Sequence, residues 1–342
     1  MSLEVHIYGP GYGETILLRW PKAGGGWHGA IVDAHAPGDK GIWLVEKLKN
    51  LKLTALEFVV ATHPHLDHIH NFAAGLKRSG VSVEHGFFWP PFLDTSWIRF
   101  FNQLAAQEED GELSGTAAMM EQWFDYCADS PKNLRGIEGR DDFRPIYTSE
   151  IQGKKFTVKA IGPWDAIHCR LAKNVAGSKQ RSGRIDYEHR HANDVSIALL
   201  IEYGDAQIVL GGDMEEINWG ALKRASARPE FRPSLVKVSH HGSKNGRMEG
   251  MWSRGGGFFE GRSARPIAVV TPWRPPWLKP DQGLPDGDTV LHEIRDAGFT
   301  VYVTGHGGSP RFRKPESHVS VRVNPDRTAP RVFEEEAVRL VS

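Results

Sequence analysis

The sequence predicts an α/β fold in which two β-sheets pack face to face and helices flank them. Runs rich in β-branched and aromatic residues, which favour strands, occur in two successive sets, one before residue 90 and one after residue 155. Segments whose apolar residues recur at helical spacing separate these runs. Two sets of strands with helices between them suit two packed sheets that are covered on their outer faces.

The first set consists of four predicted strands and two predicted helices. Apolar and polar residues alternate in the first two strands, and a Gly-Pro-Gly turn separates them. Each helix carries its apolar residues on one face. The predicted strands cover Leu3–Tyr8, Glu14–Trp20, Gly29–Asp33 and Leu56–Ala61, and the predicted helices cover Gly41–Lys49 and Ile69–Arg78.

The elements in the middle of the chain and the second set of strands are predicted from the same patterns. Two segments rich in aromatic residues and Met show helical spacing, which indicates core packing. The acidic run Glu334–Glu336 is interpreted as the solvated end of a helix. The predicted helices are Ser96–Gln107, Ala117–Ala128 and Thr289–Ala297, and the predicted strands are Phe156–Ile161, Val195–Glu202, Ala206–Leu210, Leu235–Ser239, Pro266–Thr271 and Val301–Val303.

Composition is typical of a globular enzyme, with 40% hydrophobic and 25% charged residues in 342. Lys plus Arg equals Asp plus Glu at 42 each, so no global charge attracts nucleic acid or an anionic membrane. Cys127 and Cys169 lie far apart, which argues against a disulfide framework and a cysteine-based zinc site. The N-terminus lacks the features of a signal peptide, and no apolar run approaches membrane-spanning length. We expect a soluble, cytoplasmic protein without a membrane partner; the sequence does not identify a protein partner.

The most specific local pattern is His63-x-His65-x-Asp67-His68, directly after the predicted strand Leu56–Ala61. Imidazole and carboxylate together suit Zn²⁺, Mn²⁺ or Fe²⁺, and four ligands in so short a turn can serve two metals. The alternative is a histidine-rich loop without metal. The chain has 16 histidines, so an isolated pair carries little weight. Four ligand side chains at this spacing after a buried strand favour a metal site.

These residues resemble the signature of the metallo-β-lactamase fold superfamily of dinuclear metallohydrolases. Further segments resemble that family in the right order over residues 1–80 and 155–305. The branch that they resemble includes the hydrolase-like domain of DNA-uptake proteins of the ComEC kind and related phosphodiesterases. The segments are Ile31–Ala34, Asn193–Leu200, Val209–Asp213 and Leu235–Ser243, the last with the pattern Lys-Val-x-His-His-Gly-Ser.

The resemblance implies a four-layer αββα sandwich. Residues 1–342 then form a single domain of this fold, with residues 90–151 as a helical insertion that shapes substrate access. The resemblance also implies two divalent metals, with Zn favoured and Mn or Fe as alternatives. The implied metal ligands are His63 and His65 for the first metal, Asp67 and His68 for the second, Asp213 as the bridge, and His240 or His241 as a further ligand.

Other residues receive supporting roles. Of the pair His240 and His241, the ring that does not bind metal is expected to orient or donate to the substrate, and Asp67 and His241 are the candidate catalytic residues. Asp33 is expected to hold a ligand histidine by hydrogen bonding rather than to touch metal. Asn193 and Ser196 either tie the loop near the metals or simply cap a turn.

One position departs from the branch pattern. The branch has Gly-His-Pro where this chain has Gly283-Leu284-Pro285, so the expected histidine is Leu284. The second metal is then one ligand short. Water, or His189 or His191 just before Asn193, are the candidates to fill that position.

The predicted activity is hydrolysis of a phosphodiester in a nucleotide or nucleic acid through a metal-bound hydroxide, that is, a phosphodiesterase or nuclease. Arg181 and Arg184 lie in the strongly basic segment 170–190, which either grips a phosphodiester or is a solvated loop. An alternative enzyme hydrolyses a carboxylic ester, lactone or amide. A non-enzymatic alternative is a regulatory, partner-binding protein with a degenerate metal site, which Leu284 makes conceivable.

Overall fold

In the computed structural model, two eight-stranded mixed sheets pack face to face between helices, as the sequence predicts. The structure describes residues 2–9, 13–36, 40–88, 112–137, 143–164, 191–253, 257–259, 265–273, 287–305, 317–326, 328–335 and 337–340. Within them, the helices are α1 (Ile42–Asn50), α2 (Leu66–Ile69), α3 (Phe72–Ser79), α4 (Glu112–Asp129), α5 (His191–Asp194), α6 (Glu216–Arg224) and α7 (Gly287–Asp296).

Sheet 1 has the strand order β15-β14-β1-β2-β3-β4-β5-β6. Strands β3 to β6 run parallel, whereas β1, β2, β14 and β15 join the sheet in antiparallel register. The bounds are β1 Leu3–Tyr8, β2 Thr15–Pro21, β3 Trp27–Ala34, β4 Ala55–Ala61, β5 Ser82–Phe88, β6 Asn133–Gly136, β14 His318–Val323 and β15 Arg331–Glu335.

Sheet 2 has the strand order β16-β13-β12-β11-β10-β9-β8-β7. Strands β10 to β13 run parallel, and β7 to β9 and β16 are antiparallel to their neighbours. The bounds are β7 Pro145–Ile151, β8 Lys154–Gly162, β9 Ala198–Tyr203, β10 Ala206–Leu210, β11 Pro233–Lys237, β12 Ile267–Val270, β13 Thr300–Thr304 and β16 Ala337–Leu340.

Side-chain alternation along the strands divides the interior into two apolar layers. In β9, Leu199 and Ile201 belong to the core between the sheets, whereas Ala198 and Leu200 belong to a second cluster with α6 and α7. Helices α1, α3 and α4 contribute buried side chains that continue the core around sheet 1. Strand β9 is therefore apolar on both faces, which explains the continuous apolar run at this point of the sequence.

The structure corrects three element predictions. The predicted helix Ile69–Arg78 begins only at Phe72, as α3, because Asn71 adopts a left-handed conformation with φ 57°; Ile69 ends the separate short helix α2. The strand predicted from Val195 begins at Ala198. The acidic run at Glu334 is not a helix end: β15 and β16 are edge strands, whose exposed face accommodates charge. The predicted helix Ser96–Gln107 lies outside the described residues.

Candidate metal centre

The predicted ligands lie where the parallel strands of both sheets end. In sheet 1, β3 and β4 run parallel. Asp33 lies at the end of β3, and the turn His63–His68 follows β4. In sheet 2, β10 and β11 run parallel and are followed by Asp213 and His241. The loops after parallel strands lie at the same edge of a sheet. The histidine turn of one sheet thereby faces the aspartate and histidine of the other.

A first pocket is formed by His63, His65 and Asp213, each of which offers a ligand atom within 4.8 Å of those of the other two. His63 Nε2 lies 3.1 Å from His65 Nδ1 and 3.8 Å from Asp213 Oδ2. His63 is fully buried, whereas His65 is only partly buried. Two nitrogens and a carboxylate oxygen therefore converge, with His65 on the more exposed side.

A second pocket is formed by Asp67, His68, His241 and again Asp213, all of them buried. His241 Nε2 lies 3.0 Å from Asp67 Oδ2 and 3.5 Å from Asp213 Oδ2. His68 Nε2 lies 3.4 Å from Asp213 Oδ1. Asp213 thus faces both pockets: Oδ2 lies near His63 and His241, and Oδ1 lies near His68.

Asp33 orients one histidine of each pocket. Its Oδ2 accepts hydrogen bonds from His68 Nδ1 at 2.8 Å and from the Thr62 hydroxyl at 2.6 Å. The Thr62 oxygen in turn accepts from His63 Nδ1 at 3.0 Å. Because Nδ1 of each ring is engaged, Nε2 of each ring is left to face the pocket. Asp33 therefore holds the His68 ring directly, and the His63 ring through Thr62, on the side of each ring that faces away from the pocket.

Ser196 supports the first pocket from the second sheet. Its hydroxyl accepts a hydrogen bond from the Asp213 backbone N–H at 2.8 Å and lies 3.4 Å from His63 Nδ1. The side chain is fully buried. Ser196 thus contacts a ligand residue from each sheet, which is more than the capping of a turn requires.

His240 and His241 are adjacent in sequence but occupy different positions. His241 lies in the second pocket, and its Nδ1 donates to the Thr271 carbonyl at 2.7 Å. His240 lies outside both pockets, with Nδ1 3.3 Å from Glu215 Oε1 and Nε2 3.2 Å from the Asn193 amide. Asn193 also donates to Glu215 at 3.0 Å. His240, with a side chain that is 23% exposed, forms the rim of the centre.

The backbone at the histidine pair is strained. His240 and His241 have φ values of 46° and 55°, in the left-handed region that non-glycine residues rarely adopt. Such conformations cost on the order of 1–3 kcal/mol each and cluster at functional sites. Gly242 continues the turn with φ 80°, and a Cβ there would lie 2.9 Å from the Val270 side chain. The strained turn aims the two rings in different directions.

The residues fit a divalent metal. His68 Nε2, His241 Nε2 and Asp213 Oδ1 are buried and make no hydrogen bond of ordinary geometry. Buried polar atoms without partners are rare in folded proteins, and these three lie close together: the two Nε2 atoms are 3.4 and 3.5 Å from oxygens of Asp213. A metal ion satisfies all of them at once. Imidazole nitrogens with carboxylate oxygens suit Zn²⁺, Mn²⁺ or Fe²⁺.

The protonation states of the ligands are shifted by burial and by each other. Burial, with the neighbouring His68 ring, holds the pKa of His63 well below its usual value. Burial also opposes a charged His68, but Asp213 and the other nearby carboxylates raise the pKa of His68 well above its usual value. Burial opposes an ionised Asp213, yet His241 and His68 lower its pKa well below the usual range. A neutral His63 and an ionised Asp213 are the forms that bind metal.

Several predicted site residues lie outside the described part of the chain. These are Arg181, Arg184, Leu284, His189 and the side chain of His191. The same holds for Cys169, whereas Cys127 is buried, and burial raises the pKa of its thiol to about 12. The basic segment 170–190 and the ligand expected at Leu284 therefore remain predictions.

Sequence reasoning missed Glu14 and Thr271 and assigned no role to Lys237. All three side chains are buried within the centre. A signal was present for two of them: Lys237 interrupts an apolar strand, and Glu14 opens one. A charged residue in such a position needs a buried partner of opposite charge. The sequence does not show which residue that partner is.

No family model and no curated protein matches the chain. The solved structures that it resembles include a mutant of the CmlA beta-hydroxylase, at 12% identity and a TM-score of 0.46, covering 94% of this chain and 54% of that one. The chain thus spans about half the length of the hydroxylase. Zn(2+)-bound PqqB from Methylobacterium extorquens has 12% identity and a TM-score of 0.39, and the match covers 86% of this chain and 97% of that one. A metallo-beta-lactamase from Cronobacter sakazakii has 13% identity and a TM-score of 0.34, and the match covers 68% of this chain and 76% of that one.

Among the described residues, no helix combines the length and the apolar character that crossing a bilayer requires.

Proposed function

We propose that this chain is a metal-dependent hydrolase that uses two divalent metals. The observation that carries the proposal is the shared Asp213: its Oδ2 lies near His63 of the first pocket and His241 of the second, and its Oδ1 lies near His68 of the second. A carboxylate between two nitrogen-rich pockets suits a bridge between two metals. Zn²⁺ is the proposed metal, and Mn²⁺ and Fe²⁺ suit the same donor set.

Bound metals supply Lewis acidity and lower the pKa of a coordinated water. The chain's own residues orient the reactants. Asp67 Oδ2 faces the pocket beside His241 and is placed to accept a hydrogen bond from the attacking water. His240, at the partly exposed rim, is the ring that a substrate reaches first.

The proposed substrate is a phosphodiester in a nucleotide or nucleic acid. Two features of the sequence support this class. The Lys-Val-x-His-His-Gly-Ser segment resembles that of a branch with phosphodiesterases, and segment 170–190 supplies cationic side chains before β9. Guanidinium groups near the metals offset charge on phosphoryl oxygens, which a carboxylic ester does not require.

The metal-hydrolase proposal is tested by metal analysis of the purified protein, followed by turnover of bis-p-nitrophenyl phosphate and p-nitrophenyl acetate. We expect up to two transition metals per chain, loss of turnover after chelation, and recovery on adding Zn²⁺ or Mn²⁺. Metal-free protein that keeps full activity contradicts the proposal. A folded protein that binds no metal favours the partner-binding alternative, and turnover of the acetate alone favours the ester class.

The substrate class is tested by the double substitution of Arg181 and Arg184 by Ala. We expect weaker phosphodiester turnover and a loss that grows with salt if the substrate is a polyanion. Turnover of a neutral ester should not change. A double variant that processes both substrates like the parent indicates that the basic segment is only a solvated face.

A further inference from the structure

A fully buried ion pair joins the two sheets beneath the metal centre. Glu14 directly precedes β2 of sheet 1, and Lys237 ends β11 of sheet 2; their side chains are 0% exposed and in direct contact. Burying an ion pair costs solvation free energy, so hydrophobic residues of similar volume often stabilise a core as well or better. Stability alone therefore does not account for this pair.

Two hydrogen bonds of the pair reach the loops that carry two of the four ligands of the second pocket. The Glu14 backbone N–H donates to the Asp67 carbonyl at 2.9 Å. Lys237 Nζ donates to the carbonyl of Gly212, the residue before Asp213, at 3.2 Å. The loops that carry Asp67 and Asp213 are thus tied to the same pair from opposite sheets.

The remaining two ligands lie against the Glu14 carboxylate. The Thr271 hydroxyl donates to Glu14 Oε2 at 2.8 Å, and the Thr271 carbonyl accepts from His241 Nδ1. Glu14 Oε1, which is buried and makes no hydrogen bond, lies 3.7 Å from His68 Nδ1. All four ligands of the second pocket are therefore within one or two contacts of Glu14 or Lys237.

Glu14 offers a carboxylate oxygen within 4.8 Å of ligand atoms of His68, Asp213 and His241, but its contacts place it behind the two rings. Its oxygens lie 3.7 Å from Nδ1 of His68 and 3.9 Å from Nδ1 of His241, whereas the Nε2 atoms of both rings face Asp213. The ligand atoms of the pocket are thus on the far side of the rings. The geometry assigns Glu14 to positioning.

We propose that the Glu14–Lys237 pair positions the second pocket, setting the spacing between ligands from the two sheets and hence the affinity for the second metal. The inference rests on the proposed two-metal centre. The first pocket shares Asp213 with the second, but its histidine His63 is held by Thr62 and Ser196, which the pair does not contact, so it should be less sensitive to the pair. Residues that orient metal ligands typically change metal affinity by about 10–100-fold when replaced.

The test uses the double variant Glu14→Gln/Lys237→Met, which removes both charges at similar volume. Single variants leave one buried charge unpaired and are expected to fold poorly, so the neutral double variant is the informative one. The matched control is Glu4→Gln/Arg19→Met, because the buried Glu4 and the partly buried Arg19 form another ion pair, which contacts none of the ligands. Each protein is titrated with Zn²⁺ against a chromophoric chelator and with Co²⁺ by absorption, and its thermal unfolding is recorded.

We expect the double variant to fold, to keep the affinity of the first pocket close to that of the parent, and to bind the metal of the second pocket about 10–100-fold more weakly. The Co²⁺ spectrum of the step that fills the second pocket should change, while the control variant binds both metals like the parent. Parent-like affinity for the second metal in a folded double variant overturns the inference, as does equal weakening of both metals. A parent protein that binds fewer than two metals instead overturns the two-metal function itself.

Discussion

The two pockets share Asp213 but differ in where their other ligands originate. The first takes His63 and His65 from a single turn after β4. The second combines Asp67 and His68 with His241, which belongs to the other sheet. The first is therefore largely built by local sequence, whereas the second exists only when both sheets are correctly packed.

Burial sharpens the difference. All four members of the second pocket are buried, while His65 of the first is partly exposed. Three of the buried ligand atoms that make no hydrogen bond also belong to the second pocket. A pocket with more ligands and unsatisfied buried atoms gains more from a cation. We expect the second pocket to hold its metal more tightly.

The largest effect is expected from Asp213→Ala, because both pockets lose their common carboxylate. Bound metal after dialysis should fall to near zero, and turnover with it. The control is Asp205→Ala, which changes an exposed aspartate in the turn between β9 and β10. Unchanged metal content in the Asp213 variant excludes a shared ligand.

Asp67→Ala should remove the second metal and leave the first. Turnover should fall by at least about a hundredfold, since both the metal and the group that orients the attacking water are lost. Fold, by circular dichroism, and one bound metal should persist. A folded variant with full activity excludes a two-metal mechanism.

His65→Ala should affect only the first pocket, the more exposed of the two. Metal content should fall from two to one per chain after dialysis, and the retained metal should dissociate as slowly as the tighter metal of the parent. His28→Ala, at the opposite end of β3, serves as the control. Loss of both metals in the His65 variant means that the pockets are not separable.

Glu4→Gln alters a region remote from both pockets. It should leave metal binding unchanged and affect only the stability of the fold. Burial opposes ionisation of Glu4, but contacts with His6, Arg19 and Arg322 lower its pKa from 4.5 to about 2. A carboxyl group with a lowered folded pKa stabilises the fold above its unfolded pKa, and this stabilisation is lost as pH falls through the folded value. Urea unfolding should therefore show the variant less stable at neutral pH, with the difference shrinking between about pH 4.5 and pH 2. A pH-independent difference contradicts this.

The sequence predicts the local parts of this molecule better than the distant ones. Strand ends and the spacing of His63 to His68 are local properties, and the predicted fold class is confirmed. Strands with mixed polarity were missed, among them β5, with Glu84 and His85, the interior strand β14, and the edge strands β15 and β16. The partnership of Glu14 with Lys237 was also missed, because it depends on how the sheets face each other. Periodicity carries no information about that.

The left-handed histidine pair has an implication for how this chain can change over time. Glycine adopts φ values near 46° without penalty, so glycine in place of His240 relieves local strain. Selection for thermal endurance alone would favour that replacement. A chain that keeps histidine at this position has a lower melting point than the glycine variant but retains an imidazole ring at the rim of the centre. Stabilised variants of this protein should therefore be screened for loss of that ring.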